Sequence, residues 1–375
     1  MPELQRPKSR FASFHALKKE WFLGIGWGSS AIFWAWSGSL FRGMDNTAWL
    51  VGLFLFLFLM VLGCAVNVVR HAEHISKRLG EPYGTLVLTL SITAIEVMSI
   101  SAVMMHGENN PTLVRDTLYS VVMIVLGGMV GLSLLVGAIF HREQTFNLQG
   151  ANAYLGVIVP LAAFSLILPN LTHTTDGPTL STGQQILVGG MSAALFATFL
   201  LIQTGRHRSY FAPPIDDEVI EAGEKPKLLP HVLLLICYML PVVYLVEQLA
   251  VPIDYIVEAL HPPHIVGGVV MAILVAAPEA IGGVKAAVQN RLQLSVNIFL
   301  GSVLATIGLS VPIMLIFSNI VGLELTLGLS GPDMLLLGTI LAVSTITFSS
   351  GKTHLLQGVV HILLFVAFIM LAFDG

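Results

Sequence analysis

Apolar runs of about 20 residues recur along this chain, and they constrain its fold more than any other feature. A run of that length can cross the hydrocarbon core of a bilayer as a helix. Hydrophobic residues make up 55% of the 375 residues and charged residues only 11%, whereas soluble domains carry about 25% charged residues. The sequence therefore predicts an all-α polytopic membrane protein.

Windowed hydropathy predicts eleven transmembrane spans along the chain. The spans, numbered 1 to 11 in chain order, are 21–41, 48–70, 82–106, 114–140, 152–170, 183–204, 229–249, 264–288, 294–320, 332–350 and 352–373.

The spans fall into two equal blocks with one helix left over. We predict a basic N-terminus over 1–20, an extra first helix over 21–41 and a first five-helix block over 48–205. A linker over 206–228 and a second five-helix block over 229–373 complete the chain. The centre of the linker is acidic and rich in proline, which favours a solvated connector over a cation-collecting or regulatory segment.

The basic residues predict the orientation of the spans. If the N-terminus is cytoplasmic, sixteen of the 18 Lys and Arg residues lie on the cytoplasmic side, and Arg42 and Arg115 lie outside. Basic residues are enriched in cytoplasmic loops, so this pattern favours a cytoplasmic N-terminus and a C-terminus outside. The net charge of -4 comes with no basic tract, which makes the lipid bilayer the expected partner and nucleic acid an unexpected one.

Two glutamates stand apart from the other acidic residues because each lies deep inside a predicted span. Glu96 lies in span 3, within "LSITAIEVMSI", and Glu279 lies in span 8, within "LVAAPEAIGG". A charged side chain at mid-membrane costs roughly 2.5–3.5 kcal/mol on insertion scales. Two such residues at similar depth therefore indicate a functional site. The alternative is that each is protonated and hydrogen-bonded to a neighbouring helix as a packing residue.

Spans 3 and 8 are the second helices of the two blocks. A block with an odd number of helices can be duplicated only if the copies enter the membrane from opposite sides. The sequence therefore predicts two inverted five-helix repeats, the plan of many secondary transporters with a substrate site at the midplane.

Small residues and a proline accompany the two glutamates. A glycine-small pair follows each one, Gly127-Gly128 in span 4 and Gly301-Ser302 in span 9. Such pairs let helices approach closely, and packing is the ordinary interpretation of each pair taken alone. Pro278, directly before the second glutamate, interrupts regular helix and could free carbonyl oxygens toward a cavity.

Two buried carboxylates suit a hard cation such as Ca²⁺, which takes six to eight oxygen ligands. Further oxygen ligands are predicted from nearby polar residues, which are Thr89, Ser91, Thr93, Asn297, Ser302 and Thr306. A carboxyl group that is buried beside a second carboxylate keeps its proton to a higher pH than one in water. Cations and protons would then compete for one site, and competition combined with alternating access is antiport. No cofactor is expected.

Three stretches resemble a known family of transporters. Residues 70–104, 111–137 and 297–313 are similar to the bacterial Cha-type calcium/proton antiporters of the cation/calcium exchanger superfamily. The resemblance implies one extra helix plus two inverted five-helix repeats, residence in the bacterial inner membrane, and cation binding by Glu96 and Glu279. Here "TAIE" and "PEA" replace the asparagine and histidine that flank these glutamates in the wider calcium/proton exchangers. The Cha-type branch also implies Na⁺ or K⁺ as transported ions.

Other functions are less well supported by the residues. An intramembrane hydrolase would need a nucleophile and a base close together, and no such motif stands out, so no enzyme activity is predicted. A proton-independent cation channel stays open as the alternative, since carboxylates also line pores. The histidines of 70–74 and 261–264 are expected to be solvated at span ends, and His361 to be a hydrogen-bonded packing residue more than a proton relay. Two cysteines in apolar runs, Cys64 and Cys237, predict no disulfide framework.

Overall fold

The computed structural model describes residues 20–80, 83–105, 110–175, 177–211, 228–260, 263 and 265–374. The predicted basic N-terminus before Glu20, the centre of the acidic linker and most of the 261–264 histidine motif lie outside the described residues.

The described residues form a helix at each of the eleven predicted positions. These helices are α1 Trp21–Leu40, α2 Thr47–Leu79, α3 Tyr83–Met104, α4 Leu113–His141, α5 Leu148–Leu171, α6 Thr182–Arg206, α7 Leu228–Leu260, α8 Ile265–Val288, α9 Leu292–Val321, α10 Gly331–Thr347 and α11 Leu355–Asp374. Four of them contain a π-helical segment, which is Met123–Met129 in α4, Ala163–Ile167 in α5, Ile202–Arg206 in α6 and Thr306–Ser310 in α9.

The fold is that of an α-helical membrane protein. Nine of the described helices, all except α1 and α10, are long and apolar enough to cross a membrane. Helix α10 is apolar but has 17 residues, and α1 is interrupted by small polar residues and tryptophans that lower its hydropathy. The count of eleven spans therefore stays a prediction, while the helical membrane fold is confirmed.

Helix α2 continues beyond the predicted span. The hydropathy pattern predicts that span 2 ends at residue 70, whereas α2 runs to Leu79. Charged residues end a transmembrane span because of the lipid, but they do not end a helix. The helix stops at Gly80, whose φ of 68° lies in the left-handed region that favours glycine.

Polar contacts dock the N-terminal end of α1 against α2 and α7. The Glu20 carboxylate forms an ion pair with Arg70 and accepts a hydrogen bond from the Tyr238 hydroxyl at 3.0 Å. His71 is 1% exposed, with Nε2 at 3.3 Å from Glu20 Oε2 and Nδ1 at 2.9 Å from His231 Nδ1. The prediction of solvated histidines at 70–74 is wrong for His71, because residues distant in sequence cover it.

A two-stranded sheet joins two loops on the same side of the helices. Strand β1, Gln144–Thr145, pairs antiparallel with β2, Lys352–Thr353. The buried Gln144 side chain also donates to the Ala287 carbonyl at 2.8 Å. These contacts tie together the ends of α4, α8 and α11.

Helices α4 and α9 form the centre of the fold. In their most apolar stretches 67% and 78% of the residues are buried, against 22% in α6 and α11. The two glutamate helices pack directly on this centre, α3 against α9 and α8 against both α4 and α9. The architecture therefore places both glutamates beside the most enclosed helices of the protein.

Candidate cation-binding site

Glu96 lies near the middle of α3 and is almost completely buried, with 1% of its surface exposed. Its Oε2 accepts a hydrogen bond from the Thr306 hydroxyl of α9 at 3.0 Å. Its Oε1 has no hydrogen-bond partner among the described residues. A carboxyl oxygen that is buried without a partner is costly, so this atom is open to an additional ligand.

Glu279 lies in α8 and is 9% exposed. The Ser302 hydroxyl of α9 interacts with its carboxyl group, and the Glu96 carboxyl interacts with it electrostatically. Its Oε2, like Glu96 Oε1, lacks a hydrogen-bond partner within the described part of the chain. Both predicted glutamates therefore contact α9, and their carboxyl groups interact electrostatically.

Hydroxyl groups on one face of α9 contact both carboxyl groups. Ser302 and Thr306 are four residues apart and so lie on the same face of a helix. Ser310, another four residues on, also faces Glu96 without forming a hydrogen bond of good geometry. We did not predict Ser310 from the sequence, although its spacing from Ser302 and Thr306 could have revealed it.

Local irregularities in the helices coincide with this site. Thr306 and Ser310 are the first and last residues of the π segment of α9, and π-helical turns occur frequently at functional sites. In α8, Pro278 lies inside the helix and has no backbone N–H. The carbonyl of Leu274 therefore lacks the donor that residue 278 would otherwise supply.

The hydroxyl groups predicted on α3 differ in their environment. Thr93 is 2% exposed, and its Oγ1 has no partner among the described residues. It lies one turn before Glu96, on the same face of α3. The Ser91 hydroxyl instead donates to the Val87 carbonyl of its own helix at 2.7 Å, and Thr89 is half-buried about two turns before Glu96.

The predicted glycines lie against neighbouring helices. A Cβ on Gly127 would lie 3.0 Å from Phe365 Cβ, and one on Gly128 would lie 3.4 Å from the Phe365 ring. A Cβ on Gly301 would make an ordinary contact with Tyr154 at 3.7 Å. Gly127 and Gly128 therefore let α11 lie close to α4, whereas the space at Gly301 would accept a Cβ.

Asn297, another predicted ligand, is engaged elsewhere. Its amide donates to the Phe211 carbonyl at 2.6 Å, and its side-chain oxygen accepts from Gln293 at 2.9 Å. Phe211 is the last described residue before the centre of the linker. Asn297 therefore joins the start of the linker to α9.

The chemistry of the site is that of oxygen ligands. Among the described residues, no group of three or more His, Cys, Asp or Glu side chains is placed to hold a metal ion. A cation at Glu96 and Glu279 would therefore take its remaining ligands from hydroxyl groups, carbonyls or water. Hard cations such as Ca²⁺ prefer such ligands.

A known family matches both halves of this architecture. The family described as sodium/calcium exchanger protein matches residues 49–205 and 230–373. Each matched range contains five helices and one of the two buried glutamates. The chain belongs to the sodium/calcium exchanger family. Its relatives are transporters and not enzymes, as the sequence predicted.

Curated relatives of this exchanger carry antiporter names. The sodium-potassium/proton antiporter ChaA of Escherichia coli K12 is 40% identical over 271 residues, which cover 71% of this chain and 73% of that protein. The calcium/proton antiporter ChaA of Bacillus subtilis 168 is 22% identical over 272 residues, which cover 71% of this chain and 76% of that protein. The resemblance to Cha-type exchangers is thereby confirmed.

Solved structures show the same fold. The structure of native YfkE matches with a TM-score of 0.73 at 19% identity, and covers 94% of this chain and 99% of that one. The H⁺/Ca²⁺ exchanger CAX matches with a TM-score of 0.68 at 14% identity, and covers 96% of this chain and 89% of that one. The exchanger fold therefore extends over nearly the whole chain.

Proposed function

We propose that this exchanger is a secondary cation/proton antiporter in which cations and protons compete for Glu96 and Glu279. The protein would export the cation and import protons by alternating access. Each glutamate would act both as a cation ligand and as a proton carrier. Such direct competition couples the two fluxes without a separate proton pathway.

One observation carries this proposal. Both carboxyl groups contact the same face of α9, and each keeps an oxygen atom without a hydrogen-bond partner among the described residues, Glu96 Oε1 and Glu279 Oε2. Like charges that are buried close together oppose joint ionisation. A proton or a bound cation relieves that repulsion, so the pair is suited to exchange one for the other.

The helix arrangement supports alternating access between two inverted repeats. The repeats we propose are 48–205 and 229–373, with the extra helix at 21–41. The glutamate helices α3 and α8 are the second helices of the two repeats, and the next helices, α4 and α9, both contain a π segment. In secondary transporters of this plan, one repeat moves against the other around a fixed site at the midplane.

The candidate cations are Ca²⁺, Na⁺ and K⁺. Two carboxylates can neutralise one divalent cation, which favours Ca²⁺ on charge alone. The name of the 40% identical relative specifies Na⁺ and K⁺, while the name of the more distant relative specifies Ca²⁺. We propose Ca²⁺ as a transported ion, with Na⁺ and K⁺ transported at the same site.

We also propose a location and an orientation. The protein would reside in the bacterial inner membrane with its N-terminus in the cytoplasm and its C-terminus outside. The positive-inside asymmetry of the Lys and Arg residues supports this orientation. In that orientation the β1–β2 sheet and the start of the linker lie on the cytoplasmic side.

A flux experiment tests the proposal. The purified protein is reconstituted in liposomes, a pH gradient is imposed, and Ca²⁺, Na⁺ and K⁺ fluxes are followed in parallel. An antiporter moves cations only against a counterflow of protons, and collapsing the pH gradient should stop net cation accumulation. Cation flux that continues down its own gradient with no proton movement would instead establish a channel or a proton-independent transporter.

A further inference from the structure

His361 is a buried titratable group that the proposed exchange does not use. It lies in α11, its side chain is fully buried, and it contacts two other helices. Its Nδ1 lies 2.6 Å from the Leu126 carbonyl of α4, and its Nε2 lies 3.1 Å from the Thr347 hydroxyl of α10. A carbonyl only accepts hydrogen bonds, so Nδ1 carries the proton, and in the neutral ring Nε2 accepts from Thr347.

The acceptor of this hydrogen bond lies in an unusual part of α4. Leu126 is in the middle of the π segment Met123–Met129. A π-helical turn changes the pairing of backbone carbonyls with later N–H groups, and a buried carbonyl needs a donor. The imidazole of His361 supplies one from outside the helix.

The π segment of α4 packs against α8, the helix that carries Glu279. The π segment of α9 packs in the same way against α3, which carries Glu96. In α9 this segment contributes the hydroxyl groups of Thr306 and Ser310. The π segment of α4 has the sequence "MIVLGGM", so only its backbone atoms can contact polar ligands. The position of those backbone atoms depends on the contacts that hold the segment.

The last helices of the two proposed repeats also pack against the π segments of α4 and α9 in corresponding ways. Helices α6 and α11 share Leu, Gly, Leu, Phe and Phe at the same spacing, in "LVGGMSAALFATF" from 187 and "LQGVVHILLFVAF" from 356. Phe196 of α6 lies against Gly308 in the π segment of α9, and Phe365 of α11 lies against Gly127 in the π segment of α4. His361 corresponds to Ser192, so the histidine is present in one repeat and not in the other.

We propose that His361 is a positioning residue of the transport site. Through its Nδ1–H bond to the Leu126 carbonyl, it holds the π segment of α4 in place against the helix of Glu279. The inference rests on the proposed function, because it assigns His361 to a site that Glu279 would form. A proton relay at His361 is the alternative that the experiment must separate from it.

Two substitutions at His361 distinguish these roles. In His361→Asn the amide nitrogen can occupy the place of Nδ1 and donate to Leu126, but the side chain cannot carry a proton. His361→Leu removes the side-chain donor to the Leu126 carbonyl, which should weaken cation binding about tenfold. The matched control is Ser192→Ala, at the corresponding position of the other repeat, where the hydroxyl has no partner among the described residues.

Binding of Ca²⁺ and of Na⁺ is measured in detergent at fixed pH, and proton-coupled flux is measured in liposomes. If His361 is a positioning residue, His361→Asn should bind and transport cations like the wild type. His361→Leu should bind cations weakly but keep the wild-type dependence of affinity on pH. A folded Leu variant with wild-type affinity would overturn the proposal. An Asn variant that binds normally but moves no protons would overturn it in favour of a relay.

A second substitution tests the proposal if His361→Leu does not fold. A Cβ on Gly131 would lie 2.9 Å from both His361 Cβ and the Ile362 backbone nitrogen, so Gly131→Ala should displace this turn of α11 together with the imidazole and weaken cation binding as well. Its control is Gly190→Ala, where a Cβ would meet nothing within 4 Å. Wild-type affinity in Gly131→Ala would count against positioning.

A parallel Glu279→Gln measurement separates this inference from the proposed function. If Glu279→Gln binds cations normally, the proposed function fails whatever His361 does. If it abolishes binding while His361→Leu and Gly131→Ala leave binding unchanged, only the positioning role fails.

Discussion

The Thr306 hydroxyl donates a hydrogen bond to Glu96 Oε2 at 3.0 Å, and so joins two residues that are 210 positions apart. Thr306 begins the π segment of α9. Ser302, one turn earlier on the same face, interacts with the Glu279 carboxyl group. A single helix of the second block therefore contacts the buried carboxyl groups of both blocks. A small change in the register of α9 would alter both contacts together.

We expect Thr306→Val to weaken cation affinity while preserving the shape of the side chain. The substitution removes the hydroxyl that holds Glu96, and a hydrogen bond to a charged group contributes roughly 1.5–3 kcal/mol. Affinity for Ca²⁺ should therefore fall by about one to two orders of magnitude. Isothermal titration of the purified protein measures the change.

The control for Thr306→Val is Thr345→Val in α10. The Thr345 hydroxyl donates to the Leu341 carbonyl of its own helix, so its loss should leave cation affinity unaltered. Equal cation affinities in the two variants would mean that the Thr306 hydrogen bond does not contribute to cation binding.

Glu96→Gln and Glu279→Gln should each abolish cation-coupled proton movement in a folded protein. Each substitution removes a ligand charge and a proton carrier together, while the amide fills the same space. Flux in liposomes is compared with Glu143→Gln, which changes a carboxylate in a loop where 64% of the side chain is exposed. An interior Gln variant that exchanges at the rate of the Glu143 control would place its glutamate outside the transport site.

Cation affinity should fall as pH falls if protons and cations share the two glutamates. The carboxyls interact, so the apparent pKa values belong to the pair. A divalent ion that displaces two protons should give a slope of log affinity against pH approaching about two below both values, flattening above them. Na⁺ should give a shallower slope.

Binding of Ca²⁺ and Na⁺ between about pH 5.5 and 9, with the Glu→Gln variants as blanks, measures this coupling. A flat Ca²⁺ affinity together with continuing transport would argue against direct competition. Protons would then have to move at another group or not at all.

Gly268→Ala should destabilise the contact between α8 and α4. A Cβ at this position would lie 2.5 Å from the Asp116 carbonyl carbon and 2.8 Å from the Thr117 nitrogen. These are backbone atoms that cannot rotate away, and overpacking typically costs about 1–3 kcal/mol. Thermal unfolding should show a lower Tm.

Gly190→Ala is the matched control, because it changes a helical glycine in open space. Alanine favours helix over glycine by about 1 kcal/mol, so this control should be neutral or slightly stabilising. A Tm for Gly268→Ala at or above that of the Gly190 control would show that α8 and α4 have room to separate.

The docking of α1 through Glu20 should withstand changes of pH near neutrality. Burial raises the pKa of Glu20, but the Tyr238 hydrogen bond and the charge of Arg70 oppose this, so its pKa lies below the usual range. A depressed carboxyl pKa stabilises the folded contact at every pH above the ordinary glutamate value of about 4.3. The stabilisation is lost as pH falls below that value.

Thiol labelling of Cys64 reports on this docking, because its Sγ lies against Gly26 of α1. In a Cys237→Ala background, Glu20→Gln should label faster than the unchanged protein at pH 7, since release of α1 uncovers the buried thiol. The ratio of the two rates should stay constant between about pH 6 and 8. Equal labelling rates would show that Glu20 does not hold α1 in place.

The sequence by itself determined the membrane class, the positions of the helices and the two buried glutamates. Long apolar runs have no stable alternative to the transmembrane helix, and a carboxyl group within such a run is too costly to be incidental. The row of hydroxyl residues Ser302, Thr306 and Ser310 on α9 could also be predicted from the sequence, since a spacing of four residues specifies one face of a helix.

Only the tertiary structure decided which polar groups meet. Thr306 donates a hydrogen bond to Glu96, and Asn297 donates one to the Phe211 carbonyl at the start of the linker. His71 is buried in contact with Glu20 and His231. These contacts depend on how distant helices cross and on where π segments shift their register. The hydrophobic pattern of a single helix does not encode those relationships, because lipid-facing and protein-facing positions in a membrane are similarly apolar.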